Sequence, residues 1–171
     1  MKRTIMTIVL IGAVAALLAS LFYYHMIAAD MTISPTLEYR VSYNRLTKVI
    51  TVKQINNGAA ESAEWRIGDV KAPVFLWSPN GKYLAISATD AEGNSRAEIM
   101  DLENGSSTWI NTLLDIEISG EEHAQVQIVR WLEDGSVLAE FSYPPDGSGN
   151  TAHGTFIFDM SNAIRDLNVS D

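Results

Sequence analysis

Hydrophobic and polar positions follow two regimes along this chain. Residues 4–29 carry no formal charge, and the stretch bounded by Ile5 and Phe22 is nearly unbroken Ile, Val, Leu and Ala. About 18 to 20 such residues, rising 1.5 Å each, cover the roughly 30 Å of a bilayer's hydrocarbon core, so the run predicts a transmembrane helix. After residue 36 the period changes to two. Leu37, Tyr39, Val41 and Tyr43 alternate with polar residues and predict a half-buried strand. Residues 48–53 predict a second. Ala63, Trp65 and Ile67, alternating with Glu64 and Arg66, predict a third beyond the turn signal Asn56-Asn57-Gly58. Four short strands follow at 74–77, 83–87, 97–101 and 107–110, joined by tight turns into an antiparallel meander. A third unit runs through 126–131, 137–142 and 155–159, with a long polar loop at 144–150. Residues 113–122 are ambiguous: strand is favoured, because Ile116 and Ile118 alternate with acids, with Gly120-Glu121-Glu122 as loop. Residues 161–167 read as a last strand or a helical turn. Pro35 breaks the segment before the first strand, which reads as a spacer. The chain therefore divides into a helix (1–29), a spacer (30–36) and a β domain (37–171).

One stretch recurs. Trp77-Ser78-Pro79-Asn80-Gly81-Lys82-Tyr83-Leu84-Ala85 returns as Trp131-Leu132-Glu133-Asp134-Gly135-Ser136-Val137-Leu138-Ala139. Ile99-Met100-Asp101 returns as Ile157-Phe158-Asp159. Pro79 presets its own φ, and Asn80 or Asp134 followed by Gly81 or Gly135 supplies positions that tolerate positive φ. The repeated structural residues are thus Trp77, Asn80, Gly81, Leu84 and Asp101, matched by Trp131, Asp134, Gly135, Leu138 and Asp159. Internal repetition of this kind marks stacked β elements.

These residues resemble the blade motif of TolB-type β-propellers, which also occurs in the propellers of prolyl-oligopeptidase-type enzymes and is related to WD repeats. The resemblance extends over 72–110 and 126–159. Residues 37–67 lack the Trp-x-x-Asp/Asn-Gly signature. The resemblance implies four-stranded antiparallel blades, turn residues that shape the blade, and a scaffold for protein contacts, often outside the cytoplasm. Propellers close with four to eight blades, and three are present here. The expected fold is therefore all-β: a compact partial β-propeller or a sandwich-like body. A homodimer completing a six-bladed ring is the alternative.

Composition sharpens the setting. Lys2 and Arg3 precede the apolar run and keep the N-terminus in the cytoplasm, while Phe22, Tyr23 and Tyr24 suit the outer headgroup layer. Everything after the run is then extracytoplasmic, in a single-pass cell-membrane protein. A cleaved signal is the rival reading. Its best site, Ile27-Ala28-Ala29, has a bulky first residue, and the run is longer than a signal requires. The chain carries a net charge of −9, which repels nucleic acid. It has no cysteine, which excludes disulfides, thiolate metal sites and a cysteine nucleophile. An extracytoplasmic domain without disulfides points to a bacterial source.

Candidate chemistry is sparse. Trp77 and Trp131 sit at a repeat position and read as packing residues. Trp65 and Trp109, at strand ends, are the candidates for a contact role. Asp90-x-Glu92-x-Asn94 and Asp146-x-Ser148-x-Asn150 begin as calcium loops do but lack the terminal bidentate Glu, and turn chemistry explains them equally. His25, His123 and His153 are scattered, and neither a nucleophile elbow nor a phosphate loop is present. Asn104-Gly105-Ser106 and Asn168-Val169-Ser170 fit the glycosylation pattern, relevant only in a eukaryotic secretory host. The expectation is a non-catalytic module without metal or cofactor, held to the membrane by its helix and serving an unidentified protein partner. The alternative is a small-ligand sensor or hydrolase accessory domain, with a concave pocket holding Asp90, Glu92, Asp146 or Glu133.

Overall fold

Period-two patterning becomes three sheets. The computed structural model describes residues 2–26, 30–55, 64–118, 124–143, 152–161 and 163–170. The N-terminal helix α1 spans Lys2–Met26. The first sheet holds β1 (Asp30–Ile33), β2 (Tyr39–Asn44), β3 (Val49–Gln54) and β4 (Glu64–Ile67). The second holds β5 (Lys71–Trp77), β6 (Tyr83–Thr89), β7 (Ser95–Asp101) and β8 (Ser106–Trp109). A second helix, α2 (Ile110–Ile118), leads to the third sheet of β9 (Gln125–Trp131), β10 (Val137–Ser142), β11 (His153–Asp159) and β12 (Ala163–Ser170). Each sheet is an antiparallel meander in chain order, and among the described residues no sheet closes into a barrel.

The sheets stack face to face in chain order, and the middle one is covered on both sides. Leu84, Ile86, Ala88 and Met100 meet Tyr39, Val41, Tyr43, Ile50 and Val52 of the first sheet. Ala85, Ala97 and Ile99 meet Val126, Ile128, Val137, Phe156 and Phe158 of the third, with Ile110 and Leu114 of α2. This explains why β6 is buried almost end to end while β2 and β10 alternate. The outer faces of the end sheets are mainly polar. Ser42, Thr51 and Arg66 share one row of the first sheet, and Arg40, Lys53 and Glu64 the next. Gln127, Glu140, Thr155 and Asn168 form a row of the third. Polar outer faces are what terminal units of a stacked array need.

Several expectations change. The supposed spacer contains β1, which pairs with β2 and gives the first sheet its fourth strand. Leu37 does not share the inner face with Tyr39. It sits in the β1–β2 turn at φ 61 and is 69% exposed. Residues 110–118 form a helix and not a strand. Ile110 and Leu114, one turn apart, are both fully buried, so period 3.6 overrides the apparent alternation. The last segment is a strand, β12. The turn at 56–58 and the loop at 144–150, with Asp146, lie outside the described residues.

The repeat itself slips by one residue. Ser78 N–H bonds the Tyr83 carbonyl (3.0 Å), while Leu132 N–H bonds the Ser136 carbonyl (2.9 Å), so the third sheet's turn is one residue shorter. Trp77 consequently pairs with Leu84, and Trp131 with Val137. A one-residue slip moves a side chain to the opposite face. Val137 takes the core place of Leu84, and Leu138 lies half-buried on the outer face in a row with Arg130, Ile157 and Arg165.

Candidate functional site

The two repeat tryptophans perform one task. Each is half-buried and donates its indole N–H to the preceding sheet: Trp77 to the Thr32 hydroxyl (3.3 Å), Trp131 to the Leu76 carbonyl (2.9 Å). Trp131 also stacks on Tyr83, with ring centroids 6.0 Å apart. Their hydrogen-bond ends are therefore spent inside the stack. The other repeat residues hold turns. Asn80 Oδ1 accepts from Lys82 N–H (3.0 Å), and Asp134 Oδ1 accepts from Ser136 N–H (2.9 Å). Asp101 and Asp159 cap the turns into the fourth strands by accepting from Glu103 and Asn104 N–H and from Ser161 N–H. Gly81 and Gly135 have φ of 70 and 83.

The first sheet carries the same turn in different residues. Ser34 N–H bonds the Tyr39 carbonyl (2.9 Å), Leu37 N–H bonds the Ser34 carbonyl (2.9 Å), and Tyr39 N–H bonds Ser34 Oγ (3.1 Å). Ser34-Pro35-Thr36-Leu37-Glu38-Tyr39 thus matches Ser78-Pro79-Asn80-Gly81-Lys82-Tyr83, a signal that a search keyed on Trp passes over.

Polar residues at the sheet boundaries are the main features not anticipated. β9 is an edge strand, and its outward N–H groups meet hydroxyls of the middle sheet. Val126 N–H bonds Ser95 Oγ (2.6 Å), and Ile128 N–H bonds Ser87 Oγ (2.9 Å). Asn111 ties α2 to both sheets: its Oδ1 accepts from Ala97 N–H (2.7 Å), and its Nδ2 donates to Ser95 Oγ (2.8 Å) and to the Ala124 carbonyl (3.1 Å). Glu98 is buried and paired with Arg96 (3.0 Å), whose guanidinium lies 4.3 Å from the ring centre of Trp109. Trp109 is about half exposed, but its ring face on that side is taken by a cation. Trp65 is half-buried, packs against the first core and lies near Tyr39. Of the two candidate contact aromatics, Trp109 is the more open.

A cleft of about 730 Å³ is lined by residues of the middle sheet and by the polar outer row of the third. Its walls include Val74, Ser87, Gln125, Gln127, Thr155 and Asn168, with Glu140 and His153 as the titratable groups. Asp90, Glu92 and Glu133 do not line it, and Asp146 lies outside the described residues. Its amides and hydroxyls offer hydrogen bonds, and Ser142 and His153, opposite each other in the β10–β11 register, both line it. The Asp90 carboxylate is occupied by its own turn, accepting from Gly93 and Asn94 N–H (both 2.8 Å) and the Asn94 amide (3.0 Å). Those bonds, led by the Asn94 side chain, outweigh partial burial and hold its pKa below the ordinary carboxylate value. Among the described residues no group of three or more His, Asp or Glu could hold a metal ion.

Every side chain of α1 over residues 10–23 is exposed, with Leu10, Ile11, Val14, Leu17, Leu18, Leu21 and Phe22 between 47% and 65%. Among the described residues no helix is long and apolar enough to cross a membrane. The described side chains of α1 rise only about 20 Å. The helix expected between Ile5 and Phe22 is present; a membrane crossing is not established by it.

Fold and site together define a three-sheet antiparallel β body behind an apolar helix. No protein-family model matches the chain, and no curated protein matches it.

Proposed function

We propose that this chain is a single-pass, membrane-anchored module whose β body stands outside the membrane and makes protein–protein contacts without catalysis. The observation that carries the reading is α1. A helix that is apolar all round, with no side chain packed against its own protein over four turns, needs cover from elsewhere. A bilayer supplies it. The uncharged stretch around Ile5 and Phe22 is long enough to span, and Lys2 and Arg3 orient it.

The body supports a scaffold role. The repeat tryptophans are engaged in packing, and Trp109 offers an exposed aromatic edge at an edge strand. The sheet organisation agrees with the TolB-type resemblance. Polar outer faces on the end sheets favour one compact body over a ring completed by a second copy. Net charge speaks against nucleic acid as partner.

Alkaline carbonate extraction and protease treatment of intact cells test the anchor and its direction. The chain should stay with the membrane pellet, and the body should be digested from outside. Release into the supernatant would sink the anchor, and full protection would sink the outward orientation. Cross-linking from Trp109→p-benzoyl-phenylalanine should capture a discrete protein; hydrolytic turnover by the purified chain would overturn the non-catalytic reading.

A further inference from the structure

We propose that the β2–β3 hairpin tip rests in the headgroup layer of the bilayer that holds α1, with Leu46 and Met31 against lipid and Lys48 among the phosphates. This rests on the anchor reading above and adds which surface of the body meets the membrane.

The argument begins with topology. A four-stranded meander starts and finishes at one end of its sheet, so β1 begins beside the β2–β3 tip. The register places Asp30 opposite Tyr43. The Arg45 guanidinium fixes the pairing by donating to the Asp30 carboxylate through Nη2 (2.6 Å) and Nε (3.3 Å). Chain length then limits where the tip sits. At 3.8 Å per Cα step, Asp30 lies within about 15 Å of the end of α1 at Met26. If α1 crosses the bilayer, this corner of the body is held at its surface.

The corner is built for such a surface. Asn44 Oδ1 accepts from Leu46 and Thr47 N–H (both 3.0 Å), and Lys48 closes the turn at φ 55. The tip is thereby fixed by its own hydrogen bonds and presents Leu46 60% exposed. Met31, one residue along from Asp30, is 59% exposed. In a chain of net charge −9, the segment Asn44-Arg45-Leu46-Thr47-Lys48 holds two cations and no acid. Apolar side chains flanked by cations suit the acyl–headgroup boundary. The opposite end of the sheet supplies an internal control. Leu37, also exposed, lies about 20 Å away across β2.

The native chain has no cysteine, so single-cysteine labelling is clean. Full-length Leu46→Cys, Leu37→Cys and Leu17→Cys variants would be labelled with an environment-sensitive nitrobenzoxadiazole. They would be reconstituted into phosphatidylcholine–phosphatidylglycerol vesicles, with and without a lipid bearing a nitroxide near the headgroup. We expect strong quenching at Leu17→Cys, and quenching at Leu46→Cys at least about twofold that at Leu37→Cys. Quenching at Leu46→Cys no greater than at Leu37→Cys, with Leu17→Cys quenched, overturns the proposal and leaves the anchor standing. An unquenched Leu17→Cys overturns both.

Discussion

Leu37 occupies a backbone conformation that the other two repeats reserve for glycine. Its φ of 61 lies beside 70 at Gly81 and 83 at Gly135. An L-residue in the left-handed region is strained by roughly 1–2 kcal/mol, because Cβ crowds the following carbonyl. Replacement by glycine removes that strain. It also adds freedom to the unfolded chain, which costs about 0.5–1 kcal/mol. The leucine side chain is 69% exposed, so little burial is lost. Leu37→Gly should therefore stabilise the fold by about 0.5–1 kcal/mol, a rise of roughly 2–4 °C in Tm for a body of this size.

The same logic fixes two companions. A Cβ on Gly135 meets nothing within 4 Å, so Gly135→Ala should lose only the conformational part, about 1 kcal/mol. A Cβ on Gly81 would lie 2.7 Å from Thr36 Cγ2 and 2.8 Å from its hydroxyl, so Gly81→Ala should lose about 2 kcal/mol or more. Thermal unfolding of the full chain in mild detergent, followed by circular dichroism, should rank Leu37→Gly above the native chain, then Gly135→Ala, then Gly81→Ala. A Leu37→Gly variant no more stable than the native chain, beside a destabilised Gly135→Ala, would refute the claim that the first sheet carries the repeat's turn.

Asn111→Ala leaves Ala97 N–H without its 2.7 Å acceptor and should lower stability by about 2 kcal/mol in the same assay; Asn111→Asp keeps that acceptor and should retain part of it. Bonds led by the Ser136 side chain hold the Asp134 pKa below its ordinary value, and those led by Ser161 do the same for Asp159. Their contribution is present above about pH 4 and is lost as pH falls through the lower folded values. Asp134→Asn keeps the turn, as Asn80 does, and should flatten acid unfolding measured by titration. Burial raises the pKa of the Tyr39 and Tyr43 hydroxyls, which donate to the Leu102 and Val70 carbonyls. That stability is full below about pH 10 and falls as pH rises through the higher folded values. Tyr43→Phe should shrink the alkaline loss, seen as a smaller change in midpoint with pH.

The strands were legible wherever one face is buried, because burial then writes period two into β2, β3 and β10. The middle sheet, covered on both faces, was legible through its turns. What failed was local pattern overruled by distant contacts. Ile116 and Ile118 mimic a strand, but the burial of Ile110 and Leu114 against two sheets makes the segment a helix. Leu138 matched Leu84 by letter, yet a turn one residue shorter gives the core place to Val137. Asn111, Ser87 and Ser95 could not be picked out, since their partners belong to strands far along the chain.

The missing tryptophan of the first unit has a structural reason. Trp77 reaches back to Thr32, and Trp131 reaches back to Leu76; Thr32 and Leu76 occupy the same place in successive units. The indole therefore serves as a hook onto the sheet before. Among the described residues no sheet precedes the first, so the equivalent position, Ile33, has nothing to hook and is exposed to solvent. What the first unit keeps is the part needed within its own sheet and toward the next. Ser34 and Pro35 form the turn, and Tyr39 bonds the Leu102 carbonyl across the boundary (3.2 Å). Trp thus marks coupling to the preceding unit, whereas Ser-Pro and Tyr mark the turn that the first two units share. Moving the hook should follow the same rule. Trp131→Phe keeps the ring against Tyr83 but loses the bond to Leu76, and should loosen the third sheet from the second by about 1 kcal/mol. Hydrogen exchange should then rise in β9 and β10 with β2 and β3 unchanged; a uniform rise across all three sheets would show that the indole supports the whole fold and not one boundary.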